Sequence, residues 1–392
     1  MLSQFIDNIR KANRLIAGGM FFFDSPGHML SESDYLLRLI SHYPLIKARS
    51  PVVILPSSSP MSAMIGELLK LNGVQVLMEP NAIGILREIQ LFHPDLILEI
   101  GQAHCKLVVP DKQNRGCGDL YPLNLCWALR ADEYLFTVIK QHEAWEHTRG
   151  QLPLRAALDK MTPDPEFSAL LKRHKYAVVQ IKNLVGNGTA RVLDPELYRP
   201  AFELLRDTGH ALILAGREPM PDDFKHYEVF DYPRSKFVSP RNDFFLFAHA
   251  AVGLTSPSGA GLFCDTLGIP YCQIASWTLL PHPSEKTIMV PSRLKERATG
   301  RILTFTQQAL AFRATYHPVK GPGHFDTATY EDIPPSPDEI RAGLQEALHG
   351  ASADAAPYPV ARLQQLDPIG MWRVAASKLS SAFLAAHPEF LN

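Results

Sequence analysis

The sequence predicts a two-domain α/β protein, each half built on its own parallel, doubly wound sheet. Three observations predict it. The 392 residues exceed one ordinary core and suit two domains of roughly 150–200 residues. Residues 20–100 alternate short apolar, β-rich runs with helical patterns of about ten residues, which implies parallel strands joined by crossover helices. The same alternation starts again at Tyr176, after a looser stretch broken by prolines.

In the first half, the buried run Leu15–Phe23 supplies the first strand, with Met20–Phe23 its strongest part. Ser31–Ile40 follows as a helix, Val52–Leu55 as a strand and Ser62–Leu71 as a helix stopped by Asn72-Gly73. Val74–Met78, Ile83–Phe92 and Leu96–Ile100 continue the pattern as strand, helix and strand. Gln151–Pro153 and Met161–Pro165 punctuate the loose stretch, where the domain junction is expected. Tyr176–Ile181 then opens the second unit. Pro195–Asp207, Asn242–Ala250 and Gly259–Leu267 read as its helices; Ala211–Ala215, Ala251–Thr255 and Ile269–Ile274 read as its strands. Residues 1–165 and 166–367 are thus expected to form two Rossmann-like domains. In 368–392, Ile369–Phe383 has the pattern of an amphipathic helix returning to brace the first domain.

Composition narrows the function. The chain is 46% hydrophobic and 20% charged with a formal net charge of -1, so nucleic acid is not an expected partner. Five cysteines without a C-x-x-C pair fit a reducing compartment, packed as small apolar groups. Arg10, Lys11 and Arg14 before Leu15–Phe23 imitate a secretion signal, but the charged lead is long and no small-x-small cleavage site follows. No apolar run reaches the ~18–20 residues of a membrane span. A cytoplasmic protein is expected, with peripheral membrane association left open.

The richest segment is Gly253-Leu254-Thr255-Ser256-Pro257-Ser258-Gly259-Ala260-Gly261, between an apolar strand and a helix. Small residues there let a ligand approach the backbone, the helix start offers unpaired N–H groups, and Ser256 and Ser258 add hydroxyls. The segment reads equally as a diphosphate cradle and as a well-capped helix with no ligand. Arg217, at the end of Ala211–Ala215, offers a planar fork for phosphate or a partner for Glu218. Lys182, in Gln180-Ile181-Lys182-Asn183, is a point charge for phosphate or a solvated surface lysine. Tyr232, Arg234, Arg241 and Asn242 read as solvated surface.

In the first half, Asp24 and His28 follow the first strand, where a cleft floor and an acceptor hydroxyl are expected. Either has the chemistry of a general base, and His28 reads also as a helix-entry histidine bonded to backbone. Glu32 and Asp34 read as first-turn acids favoured by the helix dipole. His282-Pro283-Ser284 shares two letters with a phosphate-binding His-Pro pair of some sialyltransferases, and His93-Pro94 has the same letters in an ordinary turn. No D-x-D and no dense Asp/His cluster occurs, so no metal is expected.

Several segments in order carry a family resemblance. Gly27-His28 precedes Ser31–Asp34; Asn187-Gly188-Thr189-Ala190-Arg191 precedes Asp194–Tyr198; Ala215-Gly216-Arg217-Glu218 leads to Phe230-Asp231-Tyr232. Asn242-Asp243-Phe244, Ser256–Gly259, Trp277, Gly300–Phe305, Ser336–Ile340 and the closing Phe383 and His387–Leu391 complete the series. Together they resemble a bacterial family of glycosyltransferases of the GT-B type, distantly similar to heptosyltransferases and fucosyltransferase-like enzymes. The chain departs from the latter at Gln180-Ile181-Lys182-Asn183, where they often carry a His-x-Arg-Asp segment. The resemblance implies metal-independent sugar transfer from a nucleotide-sugar substrate to a glycan or surface-polymer precursor, with no cofactor. It implies a donor held by Lys182, Arg217, Ser256, Ser258 and Gly259 and an acceptor received over Asp24–His28. Nucleotide-sugar epimerisation, pyruvyl transfer and a catalytically silent nucleotide- or glycan-binding protein are the alternatives.

Overall fold

The computed structural model describes residues 2–18, 26–100, 103–105, 125–127, 131–182, 193–216, 218, 221–316, 326–350 and 358–392. The chain falls into two compact units that change over between Thr162 and Pro163.

The first unit holds four parallel strands, β1 (Ile16–Gly18), β2 (Val52–Pro56), β3 (Gln75–Glu79) and β4 (Ile97–Glu99), in the order β3-β2-β1-β4. The described part of the first strand lies at 16–18, and the expected strand Met20–Phe23 falls outside the described residues. Helices Pro26–His42, Pro60–Leu71 and Ala82–Phe92 are the crossovers. β2 is buried at every position, as a central parallel strand covered on both faces must be. A small antiparallel pair, β5 (Ala103–Cys105) with β6 (Leu125–Trp127), follows.

Helix Pro26–His42 begins five residues earlier than its apolar spacing predicts, so Glu32 and Asp34 lie beyond the first turn. Both are fully buried rather than placed in the first turn at the positive end of the helix dipole. Asp34 pairs with Arg38, whose Nε donates to Asp34 Oδ2 at 2.6 Å and whose Nη2 lies 3.4 Å from Oδ1. Arg38 also donates to Thr148 Oγ1 (2.7 Å) and Gln151 O (3.0 Å), and its guanidinium stacks 3.5 Å from the centre of the Trp145 ring. One arginine thus ties this helix to the end of helix Ala131–His147.

The second unit carries seven parallel strands: β7 (Tyr176–Val179), β8 (Ala211–Leu214), β9 (Phe230–Asp231), β10 (Val252–Thr255), β11 (Tyr271–Ile274), β12 (Thr287–Val290) and β15 (Lys378–Leu379). Their order is β15-β12-β11-β10-β7-β8-β9. An antiparallel pair of its own, β13 (Arg293–Glu296) with β14 (Tyr330–Ile333), comes after β12 in the chain. Both main sheets are therefore parallel and α/β.

Helix Pro337–His349 starts with a capping box, Ser336 with Glu339, and presses on β12 so closely that a Cβ on Gly343 would stand 2.3 Å from Val290 Cγ2. The expected single helix over Ile369–Phe383 returning to the first domain is corrected here. That stretch forms a 3-10 turn (Met371–Arg373), strand β15 and the start of helix Ser381–Ala386. β15 pairs with β12, and Phe383 and Phe390 lie in the second unit's core. Glu346 accepts from Ser380 Oγ (2.8 Å) and from the N–H groups of Ser381 and Ala382 (both 3.0 Å), anchoring the last helix by its positive end.

Candidate functional site

The strand order of the second unit reverses between β7 and β10. From β7 the chain winds outward through β8 and β9, and from β10 the other way through β11, β12 and β15. In an open parallel sheet the crevice at the carboxyl ends of such a pair is where ligands bind. Gln180 lies just past β7, Gly216 just past β8, and the Ser256–Gly259 turn follows β10, so these segments meet at that edge.

The turn is built by close packing. Gly253 and Gly261 lie against Tyr271 and Cys264, and a Cβ on Gly253 would stand 2.8 Å from Cys264 Sγ and 3.0 Å from Tyr271 Cβ. Glycine at these points lets helix Gly259–Leu267 lie directly on β10 and β11. Ser258 is its N-cap, accepting from Ala260 N–H at 3.3 Å, while its hydroxyl donates to Gln180 Oε1. Ser258 is therefore already occupied as a cap and as a bridge across the switch point. Two other hydroxyls differ: Thr255 Oγ1 and Ser256 Oγ are both fully buried without a hydrogen-bond partner. A buried hydroxyl left unpaired costs ~1–3 kcal/mol, so these two are the costly groups of the turn.

Gly216 has φ 101°, and a Cβ there would crowd Gln180 Cγ at 3.2 Å. The strand end after β8 is thus shaped by a residue only glycine fills without strain. Lys182 lies three residues past β7, half-buried, with its carbonyl accepting from Leu193 N–H at 3.0 Å. Arg217 and Asp24 lie outside the described residues. His28 sits half-buried in the first turn of helix Pro26–His42, in the first unit. The structure thus brings Ser256, Ser258 and Gly259 together with Gln180.

Gln180 has no role in the sequence-based expectations. Its signal was present: a polar residue closing the apolar strand Tyr176–Val179, now 6% exposed. The reading of Tyr232 and Asn242 as solvated surface is also corrected. Tyr232 is buried and donates to Asp243 Oδ1 at 2.6 Å, and Asn242 Nδ2 donates to Phe237 O at 2.8 Å, because helix Pro240–Ala248 packs its first turn inward.

His282 is absorbed by the interior. Its Nδ1 lies 2.7 Å from Asp265 Oδ2 and its Nε2 2.9 Å from Gln273 Oε1, while Tyr271 OH donates to Asp265 at 3.0 Å. Both ring nitrogens are engaged beneath helix Gly259–Leu267, so this His-Pro pair offers no ring nitrogen to a phosphate. His93, of the other His-Pro pair, contacts Arg10. Cys264 and Cys272 are fully buried, and burial pushes both thiols up, which keeps them protonated and inert. Among the described residues no cluster of three His, Cys, Asp or Glu side chains is arranged to hold a metal. No described helix is long and apolar enough to cross a membrane.

No family model and no curated protein matches the chain. Solved structures with similar folds include the E. coli heptosyltransferase WaaC with ADP, at 14% identity and a TM-score of 0.36, covering 71% of this chain and 90% of that one. The E. coli ADP-heptose lps heptosyltransferase II follows at 13% identity and 0.31, with the same coverage of 71% and 90%. The UDP-GlcNAc 2-epimerase of Methanocaldococcus jannaschii, solved with UDP-GlcNAc and UDP, gives 12% identity and 0.24, covering 66% and 70%. The chain is distantly similar to these nucleotide-sugar enzymes.

Proposed function

We propose that the chain is a glycosyltransferase that binds a nucleotide-sugar at the β7/β10 crevice of its second unit. The sugar passes to a hydroxyl of a glycan or surface-polymer precursor. The observation that carries the reading is the pair of buried, unmet hydroxyls of Thr255 and Ser256, where β10 ends and turns toward helix Gly259–Leu267. A diphosphate offers the acceptors those hydroxyls lack, and the helix N-terminus favours its charge. Lys182 and Arg217 supply the cations in this reading. The ordered segments that resemble GT-B glycosyltransferases support transfer over mere binding. His28, with Asp24 as alternative, takes the acceptor proton, and the leaving diphosphate is stabilised by helix dipole and cations without a metal.

A melting-temperature panel of nucleoside diphosphates and nucleotide-sugars tests the reading. A ligand at a hundredfold its Kd adds about 2.7 kcal/mol to the native state and raises the transition. Ser258→Leu fills the turn, breaks the bridge to Gln180 and is expected to abolish that rise in a folded protein. No rise with any nucleotide, or an unchanged rise in the Ser258→Leu variant, overturns the assignment. Product analysis with and without acceptor separates transfer from epimerisation, and a bound but unreacted nucleotide identifies a silent binder.

A further inference from the structure

Among the described residues five non-glycine residues have a left-handed backbone: Asn13, Ser50, Glu228, Ala275 and Leu279. The first three lie at exposed turns that end helical segments, a common place for such a conformation. Ala275 and Leu279 are different. They are 0% and 3% exposed, with φ of 57° and 53°, and stand four residues apart in the single loop that leaves β11.

Three bonds from separate elements hold that loop in its strained form. Ala275 N–H donates to Val290 O at 2.8 Å, at the end of β12. Trp277 O accepts from Gln308 Nε2 at 2.9 Å, and Leu279 O from Trp372 Nε1 at 3.2 Å. Gln308 is itself fully buried and fully used: it also donates to Ser292 O (2.8 Å) and accepts from Leu294 N–H (2.9 Å). Strain of this kind persists only where the surroundings over-determine it, and it concentrates at sites that must be preshaped.

Position supplies the rest. β10 and β11 are neighbours in parallel register, Thr255 opposite Gln273, so this loop and the Ser256–Gly259 turn leave the same sheet edge side by side. Between its two strained residues the loop carries Ser276 and Thr278, whose hydroxyl oxygens lie 3.4 Å apart, and Thr278 is half-buried rather than sealed in. The rim beside the β10 turn therefore bears paired hydroxyls on a loop tied down from three elements.

We propose that the Ala275–Leu279 loop is the preshaped wall that recognises the sugar of the nucleotide-sugar, with Thr278 as its specificity-determining residue. This rests on the nucleotide-sugar reading of the crevice and assigns the sugar, rather than the nucleoside, to the β11 side. Hydroxyl-to-hydroxyl contacts suit a polyol, and a wall that does not move discriminates between stereoisomers better than a flexible one.

The experiment is calorimetric. The wild type, Thr278→Val and Ala275→Gly are titrated with UDP and UDP-glucose, ADP and ADP-glucose, and GDP and GDP-mannose, with melting temperatures recorded in parallel. Thr278→Val keeps the shape and removes the hydroxyl; Ala275→Gly relieves the strain and loosens the wall. The expected result is a loss of about tenfold in affinity for the preferred nucleotide-sugar in each variant, with its free diphosphate unaffected and the fold intact. Equal affinities for the sugar conjugate in wild type and both variants overturn the loop assignment while leaving the crevice standing. So does an equal loss for conjugate and free diphosphate. A wild type that binds neither form of any nucleotide overturns the crevice reading and the wall with it.

Discussion

Two buried polar clusters, one in each unit, are opposites. Around Arg38 the donors meet oxygens of Asp34, Thr148 and Gln151, and the guanidinium face lies on Trp145. Around Thr255 and Ser256, two hydroxyls are as deeply buried but meet nothing. A cluster that satisfies itself has no use for a ligand and works as a brace between two helices. A cluster that leaves hydroxyls unmet at the carboxyl edge of a parallel sheet is where the proposed function places a ligand. Burial is common to both clusters; what differs is the accounting of hydrogen bonds.

The largest test falls on the satisfied cluster. Arg38→Ala leaves the Asp34 carboxylate buried without its partner, and a loss of about 3–5 kcal/mol in urea unfolding is expected. Replacing both residues, as in Arg38→Met with Asp34→Leu, is expected to restore most of it. A near-neutral Arg38→Ala would erase the distinction drawn between the clusters.

The same helix provides a contrast within the first unit. If the proposed function holds, His28→Ala, in its first turn, is expected to lower turnover by about 10²–10⁴-fold with unfolding and nucleotide binding nearly unchanged. Full turnover in this variant, in Asp24→Asn and in the double variant removes the first-unit base from the mechanism.

A third cluster sharpens the comparison through pH. Asp332, in β14 opposite Leu294, has a buried Oδ1 without a partner, and burial pushes its carboxyl up to about 7 against a smaller opposing pull from Ser292. Its folded pKa lies above the ordinary value of 3.8, so the native state binds the extra proton between those values. Stability contributed by the neutral acid is present at low pH and is lost as pH rises from about 4 through 7. Asp332→Asn is expected to exceed the wild type by about 2–4 kcal/mol at pH 8 and to match it near pH 4, read from urea titrations at both. A constant difference at the two pH values would refute the assignment.

The smallest effect is the most diagnostic. Ser256→Ala removes a hydroxyl that has no partner, so without ligand the stability is expected to stay within about 1 kcal/mol of wild type or to rise. Nucleotide affinity is expected to fall. A clear destabilisation of the ligand-free protein would show that Ser256 is satisfied by the fold after all.

Much of this could be read along the chain. The helix Gly259–Leu267 falls on the residues its pattern marks, bounded by Ser258 and by Gly268 at φ 74°. Strands β2, β3, β7, β8, β10 and β11 fall within a residue or two of their apolar runs, and for all but the edge strand β3 near-complete burial writes a continuous local signal. The turn Ser256–Gly259 was legible as a tight strand-to-helix connection, with Ser258 as its cap, because small residues and a serine before a helix are a local signal. For Gln180 only its polar character after an apolar strand was legible, since nothing local announces that it will meet a serine 78 positions away.

What the sequence determined by itself is therefore local: periodicity, caps and turns, and through them the alternation that makes both units parallel α/β. The tertiary structure alone decided which groups close on one another. It buried Asp34 against Arg38, and Arg38 against Thr148 110 residues away, where first-turn acids favoured by the helix dipole were expected. It drew β15 onto β12, where a single returning helix was expected. It also left Thr255 and Ser256 unmet while satisfying Ser258. The physical reason is range: side-chain periodicity repeats within two to four residues, whereas hydrogen-bond satisfaction is settled only when distant segments have packed.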